Sequence, residues 1–344
     1  MPELCVIEGD GIGREVIPAA VRVLRAAVPG LEVVTAEAGW ECFQRRGVSV
    51  PAETLEAVRG CGAALFGAVS SPSRSVTGYR SAILTLRQEL GLYANLRPVQ
   101  SLPRISSRQD VDLLVVRENT EGLYAGRERL FEDGAVAERV ITRTASRRIG
   151  LCALGLARAG GKKRLTIVHK ANVLPLTDGL FRDTIRGTIV ELDLASADVL
   201  VDEMLVDNAA FQLADNPEQF GVIVTTNLFG DILSDVAAVW CGGLGMAPSL
   251  NFGESVKLAE PVHGSAPDIA GRGIANPIAA ILSAALLARH AWGMAAEADL
   301  IENAVRCALA RRLEVAGGRM VAGQTTAGIE KTVAGCLGQD WAVG

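Results

Sequence analysis

The sequence predicts an α/β fold, and its length allows two domains or one large unit. Three observations support this fold class: the chain has 344 residues, 49% of them are hydrophobic, and short apolar runs alternate with longer helical patterns. A charged fraction of 21% is close to that of average globular proteins and excludes a disordered chain. No internal repeat or Pro/Ser-rich linker marks a domain boundary, so composition alone does not divide the chain.

The predicted strands are short, β-branched or apolar runs bounded by Gly, Pro or Asp. They comprise residues 4–7, 63–66, 112–116, 165–168 and 222–226. The predicted helices have apolar residues at intervals of three or four positions. They comprise residues 13–28, 83–91, 145–159, 174–186 and 276–292, the last of which is rich in Ala and Leu and opens with a proline.

The charge balance and the apolar runs exclude two classes of partner. The 34 Lys and Arg residues face 39 Asp and Glu residues, and without a long basic run the chain lacks the electrostatic footprint of nucleic-acid binding. The longest apolar stretch, residues 274–288, is interrupted by Asn276, Pro277 and Ser283 and is shorter than the roughly 20 residues of a membrane span. We therefore expect a small-molecule substrate or a protein partner, and neither nucleic acid nor membrane.

The cysteines and the N-terminus predict a cytoplasmic protein. Seven cysteines, an odd number, are widely spaced and never form a CxxC pair, which is typical of reduced thiols. Met1 leads directly into an apolar run, without the basic region and cleavage site of a secretory signal.

A glycine-rich turn, Gly9-Asp10-Gly11-Ile12-Gly13, follows the first predicted strand and opens the first predicted helix. It resembles a dinucleotide-binding loop, but its spacing is GxGxG, whereas that loop needs GxGxxG. Glu8 and Asp10 would also repel a pyrophosphate. The alternative interpretation is a tight glycine turn.

Three arginines, Arg87, Arg97 and Arg117, suggest an anionic ligand. Arg117 directly leaves a predicted strand, where side chains line the crevice at the carboxyl ends of a sheet. The planar guanidinium fork matches a carboxylate in two hydrogen bonds. For any single arginine, a surface salt bridge is the competing explanation.

Asp231 and Asp235 stand at i and i+4, on one face of a predicted helical turn. Like charges at this spacing repel unless a positive group lies between them. A divalent cation is the simplest such group, and Asp207 offers a third oxygen ligand of the kind that Mg²⁺ or Mn²⁺ prefers. A solvated acidic helix face is the equally ordinary alternative.

Lys170 leaves another predicted strand, in the order His169-Lys170-Ala171-Asn172. A lysine at such a position is a candidate general base, whereas His169 is interpreted as a packed, hydrogen-bonded histidine. Tyr124 is one of only three tyrosines in the chain, and ordinary loop packing is its simplest explanation.

The segment from His263 to Asn276 is rich in small residues, which let backbone amides approach a phosphate. A carboxylate such as Asp268 can accept both ribose hydroxyls of an adenosine and would repel a 2′-phosphate. If this segment binds a cofactor, it therefore favours NAD over NADP.

These five segments, in this order along nearly the whole chain, resemble the β-decarboxylating dehydrogenases: isocitrate, 3-isopropylmalate, homoisocitrate and tartrate dehydrogenases. The resemblance implies an isocitrate/isopropylmalate dehydrogenase-like fold of two α/β domains, which is not a Rossmann fold. It implies a large cofactor-binding domain of residues 1–96 and 243–344. It also implies a small domain of residues 97–242 that carries the dimer interface and the metal aspartates.

The resemblance further implies a role for each candidate residue. Arg87, Arg97 and Arg117 correspond to the clamp for the malate part of the substrate, and Asn172 corresponds to a further substrate-binding residue. Lys170 corresponds to a general base and Tyr124 to the general acid that reprotonates the enol. Asp231 and Asp235 correspond to metal ligands, while Asp207 and Lys170 reach the site of a neighbouring subunit in a homodimer or tetramer. The residues that correspond to the NAD-binding loop are His263, Gly264, Ser265, Ala266, Asp268, Ile269 and Asn276.

The resemblance favours homoisocitrate as the substrate and 3-isopropylmalate as the second candidate, because residues 7–20, 37–51 and 172–181 are most similar to homoisocitrate dehydrogenases of lysine biosynthesis via α-aminoadipate. Family members recognise the third substituent with the segment before Arg87, which here contains Ser71, Arg80 and Leu84. Arginines and serines favour the extra carboxylate of homoisocitrate, whereas Leu84 resembles the isopropylmalate type. Isocitrate and tartrate are further alternatives, and a catalytically silent anion-binding subunit is the non-enzyme alternative.

Overall fold

A computed structural model describes residues 1–74, 76–192, 199–316 and 319–339. The strands in these residues are β1 (Glu3–Ile7), β2 (Glu32–Ala36), β3 (Ala63–Phe66), β4 (Ala94–Gln100), β5 (Asp112–Glu118), β6 (Glu128–Phe131), β7 (Gly134–Ala137), β8 (Arg164–His169), β9 (Leu200–Leu205), β10 (Val222–Thr225), β11 (Pro248–Phe252), β12 (Lys257–Pro261), β13 (Val315–Ala316) and β14 (Arg319–Met320). The α-helices are α1 (Gly13–Ala27), α2 (Trp40–Arg46), α3 (Ala52–Cys61), α4 (Ala82–Glu89), α5 (Arg143–Ala159), α6 (Thr177–Glu191), α7 (Val206–Asp215), α8 (Asn227–Ala237), α9 (Ile278–Ala291), α10 (Ala295–Arg311) and α11 (Thr326–Ala334).

The chain divides into two compact units, and both termini belong to the first. The first unit comprises Met1–Leu92, Ser101–Gln109 and Trp240–Gly344, and the second comprises Tyr93–Gln100 and Asp110–Val239. The expected domains, residues 1–96 with 243–344 and residues 97–242, differ from these units mainly in Ser101–Gln109, which lies in the first unit.

Five strands of the first unit lie side by side in the order β2-β1-β3-β12-β11, and β13 and β14 pair separately. Of these, β2, β1, β3 and β12 run parallel, and β11 is antiparallel to β12. Helix α9 packs against α1, α10 and β12, and most of its residues are buried. A helix that is apolar on all sides belongs in a core, so its Ala- and Leu-rich sequence accounts for its position.

Five strands of the second unit lie side by side in the order β4-β5-β10-β8-β9, and β6 and β7 pair separately. Here β5, β10, β8 and β9 run parallel, and β4 is antiparallel to β5. In this register Thr225 at the end of β10 lies level with Arg117 on β5 and with Val168 on β8. The carboxyl ends of three strands therefore meet at one edge, where α8 begins.

The predicted alternation of strands and helices is confirmed. The five predicted strands correspond to β1, β3, β5, β8 and β10, and the five predicted helices correspond to α1, α4, α5, α6 and α9, with ends shifted by a few residues. None of the helices in the described ranges combines the length and apolar character that a membrane span requires.

Gly67, directly after β3, is predicted to tolerate no side chain. A Cβ atom there would lie 1.9 Å from the carbonyl oxygen of Glu8 and 3.0 Å from Cγ1 of Ile17. We expect Gly67→Ala to lower the free energy of unfolding by about 2–3 kcal/mol, the usual cost of an overpacked core. The measurement is the midpoint of chemical denaturation.

Gly60→Ala is the matched control, because Gly60 is exposed on α3 and a Cβ atom there meets nothing within 4 Å. Replacing a helical glycine by alanine at such a position should stabilise the protein by up to about 1 kcal/mol. Equal midpoints for the two variants would contradict the steric account.

Candidate active site

The candidate active site of the second unit is built around Arg117 on β5, whose side chain is 1% exposed. Its Nε and Nη2 atoms donate hydrogen bonds of 3.0 and 2.7 Å to Asn227 Oδ1, and its Nη1 atom donates to Asp231 Oδ1. A buried guanidinium needs such partners to offset its lost hydration. Since Asn227 and Asp231 both lie on α8, the strand and the helix are held in one arrangement.

Arg97 approaches the same helix from β4. Its Nε atom donates to Asn95 Oδ1 at 2.8 Å, and its Nη1 atom donates to Ser234 Oγ at 2.7 Å and to Asp235 Oδ1 at 3.0 Å. Its Nη2 atom donates to Asp231 Oδ1 at 3.3 Å. Two guanidinium groups therefore share the carboxylate of Asp231.

Asp231 and Asp235 lie one turn apart on α8, where their charges repel. Arg97 and Arg117 supply positive charge beside them, so repulsion alone does not require a metal ion. Burial raises the pKa of Asp235, and the nearby Arg97 opposes this shift.

The donor set of these two carboxylates suits a hard divalent cation such as Mg²⁺ or Mn²⁺. Asp207, the third expected ligand, accepts a hydrogen bond from Lys170 Nζ instead of joining them. Within the described part of the chain, no group of three or more His, Cys, Asp or Glu side chains is arranged to hold a metal ion. One chain thus offers two carboxylate ligands, which fit a cation whose other ligands come from elsewhere.

Tyr124 lies beside this cluster on a short 3₁₀ helix, Leu123–Ala125. Its hydroxyl donates a 2.5 Å hydrogen bond to Asp231 Oδ2, and the Arg117 guanidinium carbon lies 5.0 Å from its ring centroid. Burial raises the pKa of Tyr124, and the hydrogen bond to Asp231 raises it further. The phenol therefore holds its proton at neutral pH, and loop packing alone does not explain its position.

Lys170 and Asp207 form another charged pair, at the ends of β8 and β9. Lys170 is the first residue after β8, and its Nζ atom donates to Asp207 in the first turn of α7. This hydrogen bond lowers the pKa of Asp207. His169 is buried, and its Nδ1 atom accepts a 3.1 Å hydrogen bond from the amide of Ala171, so the packed interpretation is confirmed. Asn172 is exposed in the following turn.

Arg87 lies in the first unit, on α4. Its Nε atom donates to Asn251 Oδ1 at 2.9 Å, and its Nη2 atom donates to Glu260 Oε1 at 3.0 Å. Asn251 Nδ2 also donates to Glu260 Oε1, at 2.7 Å. These partners on β11 and β12 were not predicted, because neither residue belongs to a sequence motif.

The expected specificity residues lie at and before the start of α4, in a segment whose residue 75 falls outside the described residues. Ser71 and Arg80 are exposed, and Leu84 is half-buried. Arg80 Nη2 donates a 2.7 Å hydrogen bond to Gln88 Oε1, so its guanidinium is held along the helix.

The glycine turn after β1 packs against the predicted cofactor segment. The amides of Asp10 and Ile12 donate hydrogen bonds of 2.8 and 2.9 Å to the carbonyl oxygens of Ala68 and Ser265. A Cβ atom at Gly11 would lie 2.2 Å from the Ser265 carbonyl oxygen. Since these amides already have carbonyl partners, the turn is a tight packing turn and not a pyrophosphate cradle.

The segment from His263 to Asn276 runs along the start of α1. The amide of Gly271 donates a 2.6 Å hydrogen bond to Glu15 Oε1 on that helix. Asn276 Oδ1 accepts a 3.0 Å hydrogen bond from the amide of Ile278, at the N-terminus of α9. The segment is therefore attached to α1 near its middle and to α9 at its C-terminal end.

Within this segment the predicted cofactor residues differ in exposure. Ser265 is buried, with its Oγ atom 2.8 Å from Ser70 Oγ, whereas Gly264 and Asp268 are exposed. Burial lowers the pKa of His263. The partly buried members are His263, Ala266, Ile269 and Asn276.

Comparison with known proteins shows what the chain resembles. The model of the family described as "Isocitrate/isopropylmalate dehydrogenase" matches residues 3–329. An isocitrate/homoisocitrate dehydrogenase of Thermus thermophilus is 56% identical over 308 residues, covering 90% of this chain and 91% of that protein. A 3-isopropylmalate dehydrogenase of Methanothermobacter thermautotrophicus is 49% identical over 312 residues, covering 90% of this chain and 92% of that protein.

The crystal structure of isocitrate dehydrogenase from Methylococcus capsulatus superposes with a TM-score of 0.91 at 39% identity, covering 98% of this chain and 100% of that chain. The predicted isocitrate/isopropylmalate dehydrogenase-like fold is therefore confirmed, as is the resemblance to β-decarboxylating dehydrogenases.

The contact between Tyr124 and Asp231 predicts a change in tyrosine titration. Asp231→Asn removes the carboxylate that raises the pKa of Tyr124 and leaves the Arg117 cation in place, so this pKa should fall toward its ordinary value. The measurement is the ultraviolet absorbance of the phenolate as a function of pH in metal-free buffer. Tyr124→Phe identifies the signal, and an unchanged titration in Asp231→Asn would show that the contact does not form in solution.

Proposed function

Because the chain belongs to the isocitrate/isopropylmalate dehydrogenase family, we propose that it oxidises and decarboxylates a 2-hydroxy acid that carries a β-carboxylate. The favoured substrate is homoisocitrate, which yields 2-oxoadipate and CO₂ in lysine biosynthesis. The cluster of Arg97, Arg117, Tyr124 and Asp231 carries the proposal, because it places cations for carboxylates next to a protonated phenol.

Members of this family typically use NAD(P) and a divalent metal ion. Here Asp231 and Asp235 would hold Mg²⁺ or Mn²⁺, with Asp207 supplied by a second copy of the chain. The segment from His263 to Asn276 would hold the adenosine of NAD⁺, with Asp268 at the ribose hydroxyls. When bound, the cation polarises the carbonyl that forms from the substrate hydroxyl, and NAD⁺ accepts the hydride.

The side chains of this protein would bind the substrate and move two protons. Arg87, Arg97 and Arg117 would bind the carboxylates of the malate part. Lys170 would take the proton of the 2-hydroxyl as hydride leaves the same carbon and the ketone forms. The bond to the β-carboxylate then breaks, CO₂ leaves with the carbonyl as electron sink, and Tyr124 would protonate the carbon of the resulting enol.

The choice of homoisocitrate is supported by polar groups in the specificity segment and by the relative from Thermus. That relative carries isocitrate and homoisocitrate in its name, and the exposed Ser71 and Arg80 suit a substrate with an extra carboxylate. Half-buried Leu84 and the relative from Methanothermobacter favour 3-isopropylmalate as the second candidate. A silent anion-binding subunit is less well supported, because Lys170, Tyr124 and the aspartates are all present.

We propose that the active site is shared between two copies of the chain in a dimer or tetramer. Within one chain the Lys170 side chain donates to Asp207, whereas Asp231 accepts from Arg117. Lys170 and Asp207, the two residues expected to reach the site of a neighbouring subunit, therefore lie next to each other. Large apolar side chains of the second unit are also exposed, as is typical of a surface that another subunit covers. They include Leu130, Phe131, Val173, Leu176, Phe211, Ile232 and Val239.

The first prediction of this proposal concerns turnover. Purified protein with Mn²⁺ should reduce NAD⁺ with homoisocitrate at the highest kcat/KM among homoisocitrate, isocitrate, 3-isopropylmalate and tartrate.

The same assay tests the metal and the cofactor. Excess EDTA should abolish the reaction. The kcat/KM for NAD⁺ should be at least about 10-fold higher than that for NADP⁺, because the Asp268 carboxylate repels the 2′-phosphate. Turnover of none of the four acids would refute the enzyme assignment, and full activity in EDTA would refute the metal assignment.

The second prediction concerns the shared site. Lys170→Ala and Asp231→Asn should each be inactive alone, but mixed dimers contain one intact site, so complete exchange should restore about a quarter of wild-type activity. The measurement is NAD⁺ reduction after exchange of the two variants.

The control mixes Lys170→Ala with the double variant Lys170→Ala/Asp231→Asn, which can form no intact site. Recovery in neither mixture, despite demonstrated subunit exchange, would mean that each site is built within one chain.

A further inference from the structure

The main chain around Lys170 is held by two buried side chains that the mechanism above does not use. The amide of Lys170 donates a 2.6 Å hydrogen bond to Asp178 Oδ2, and the amide of Ala171 donates to His169 Nδ1 at 3.1 Å. The carbonyl oxygen of Lys170 accepts hydrogen bonds from the amides of the next turn. The backbone of this residue is therefore fixed on both sides, while its side chain extends to Asp207.

The carboxylate of Asp178 is also half of a buried ion pair. Asp178 lies in the first turn of α6 with a side-chain exposure of 0%, and its Oδ1 atom accepts a 2.6 Å hydrogen bond from Arg139 Nη2. The Arg139 side chain is 12% exposed. A buried pair of this kind adds little net stability, because desolvation offsets the attraction, but it restricts the geometry of the groups that it joins.

Arg139 joins this pair to the helix that carries the candidate metal ligands. Its Nη2 atom donates a 2.9 Å hydrogen bond to Thr226 Oγ1, and its guanidinium lies 4.5 Å from the ring centroid of Phe229. Thr226 is the N-cap residue of α8, and Phe229 lies in its first turn. Val140, the next residue after Arg139, forms a β-bridge to Gly122, close to Tyr124.

We propose that the Asp178–Arg139 pair is a positioning element that fixes the main chain of Lys170 relative to α8. This inference rests on the proposed function, in which Lys170 is the base and α8 carries the metal ligands. Among the described contacts, the pair touches neither Nζ of Lys170 nor the carboxylates of α8. It therefore acts through the main-chain amide of Lys170 and through Thr226 at the N-terminus of α8. It should therefore affect the rate of proton transfer more than substrate affinity.

The test is the variant Asp178→Asn, which keeps the shape of the side chain. Its carbonyl oxygen can take the place of Oδ1 or of Oδ2 but not of both, so its NH₂ group would face either Arg139 or the Lys170 amide, which are both donors. We expect kcat to fall about 10- to 100-fold, since misplacing a reacting group by about 1 Å costs this much, while KM for the acid stays within about threefold.

Asp202→Asn is the matched control, because it breaks the ion pair of Asp202 with Arg164 at the opposite end of β8 and β9. Its kcat should stay within about twofold of wild type. A loss of kcat in Asp202→Asn equal to that in Asp178→Asn would assign the effect to general stability and overturn the proposal.

A second measurement does not depend on turnover. Hydrogen exchange followed by mass spectrometry should show faster exchange of the Lys170 amide in Asp178→Asn than in wild type or Asp202→Asn. Unchanged exchange together with unchanged kcat would overturn the positioning role. If wild-type protein turns over none of the acids, the proposed function fails, and the exchange data still decide whether Asp178 fixes this backbone.

Thr226→Val provides the test if Asp178→Asn does not fold. This variant keeps the Asp178–Lys170 contact and removes only the hydrogen bond from Arg139 to α8. We expect kcat to fall about 3- to 10-fold with KM unchanged. A kcat equal to that of wild type would show that the pair does not position the helix.

Discussion

The buried guanidinium of Arg117 is the interaction on which the rest of the candidate site depends. Its charge has left water, so the carboxylate of Asp231 and the amide of Asn227 must remain beside it. Gly230 lies between these two partners on α8, and a Cβ atom there would approach Cγ of Arg117 to 2.6 Å. One absent methyl group thus allows the helix to lie close enough to β5 for the charge to be neutralised, and Tyr124 then finds its acceptor on the same carboxylate.

Much of the fold could be predicted from the sequence, because buried parallel strands and amphipathic helices have distinct spacings of apolar residues. Arg117 and Lys170 could also be singled out, since Arg117 lies near the carboxyl end of such a strand and Lys170 directly follows another. Their partners could not. Asn227, Glu260 and Asp178 lie in no motif, and each becomes important only when tertiary packing places it against a charge from another element.

The glycine turn illustrates the same limit at a local motif. Its residues are typical of a turn that exposes amides, and a phosphate site needs such exposed amides. Whether they are exposed depends on distant residues, because Ala68 and Ser265 supply the carbonyl groups that accept from them. Gly11 allows the turn to lie close to the backbone of Ser265. A sequence pattern does not distinguish a glycine that allows close backbone packing from one that allows a ligand to approach.

The segment from His263 to Asn276 contains two residues that are packed against the core, Ser265 and Asn276, and one exposed residue between them, Asp268. Ser265 is buried against the glycine turn and Asn276 is bonded to the start of α9, so changes at either would disturb the packing of core elements. Asp268 is exposed between them, and its replacement costs the fold little. On the proposed function, in which Asp268 selects NAD⁺, a lineage descending from this chain could therefore exchange one nucleotide preference for another through single substitutions at position 268, without passing through unstable intermediates.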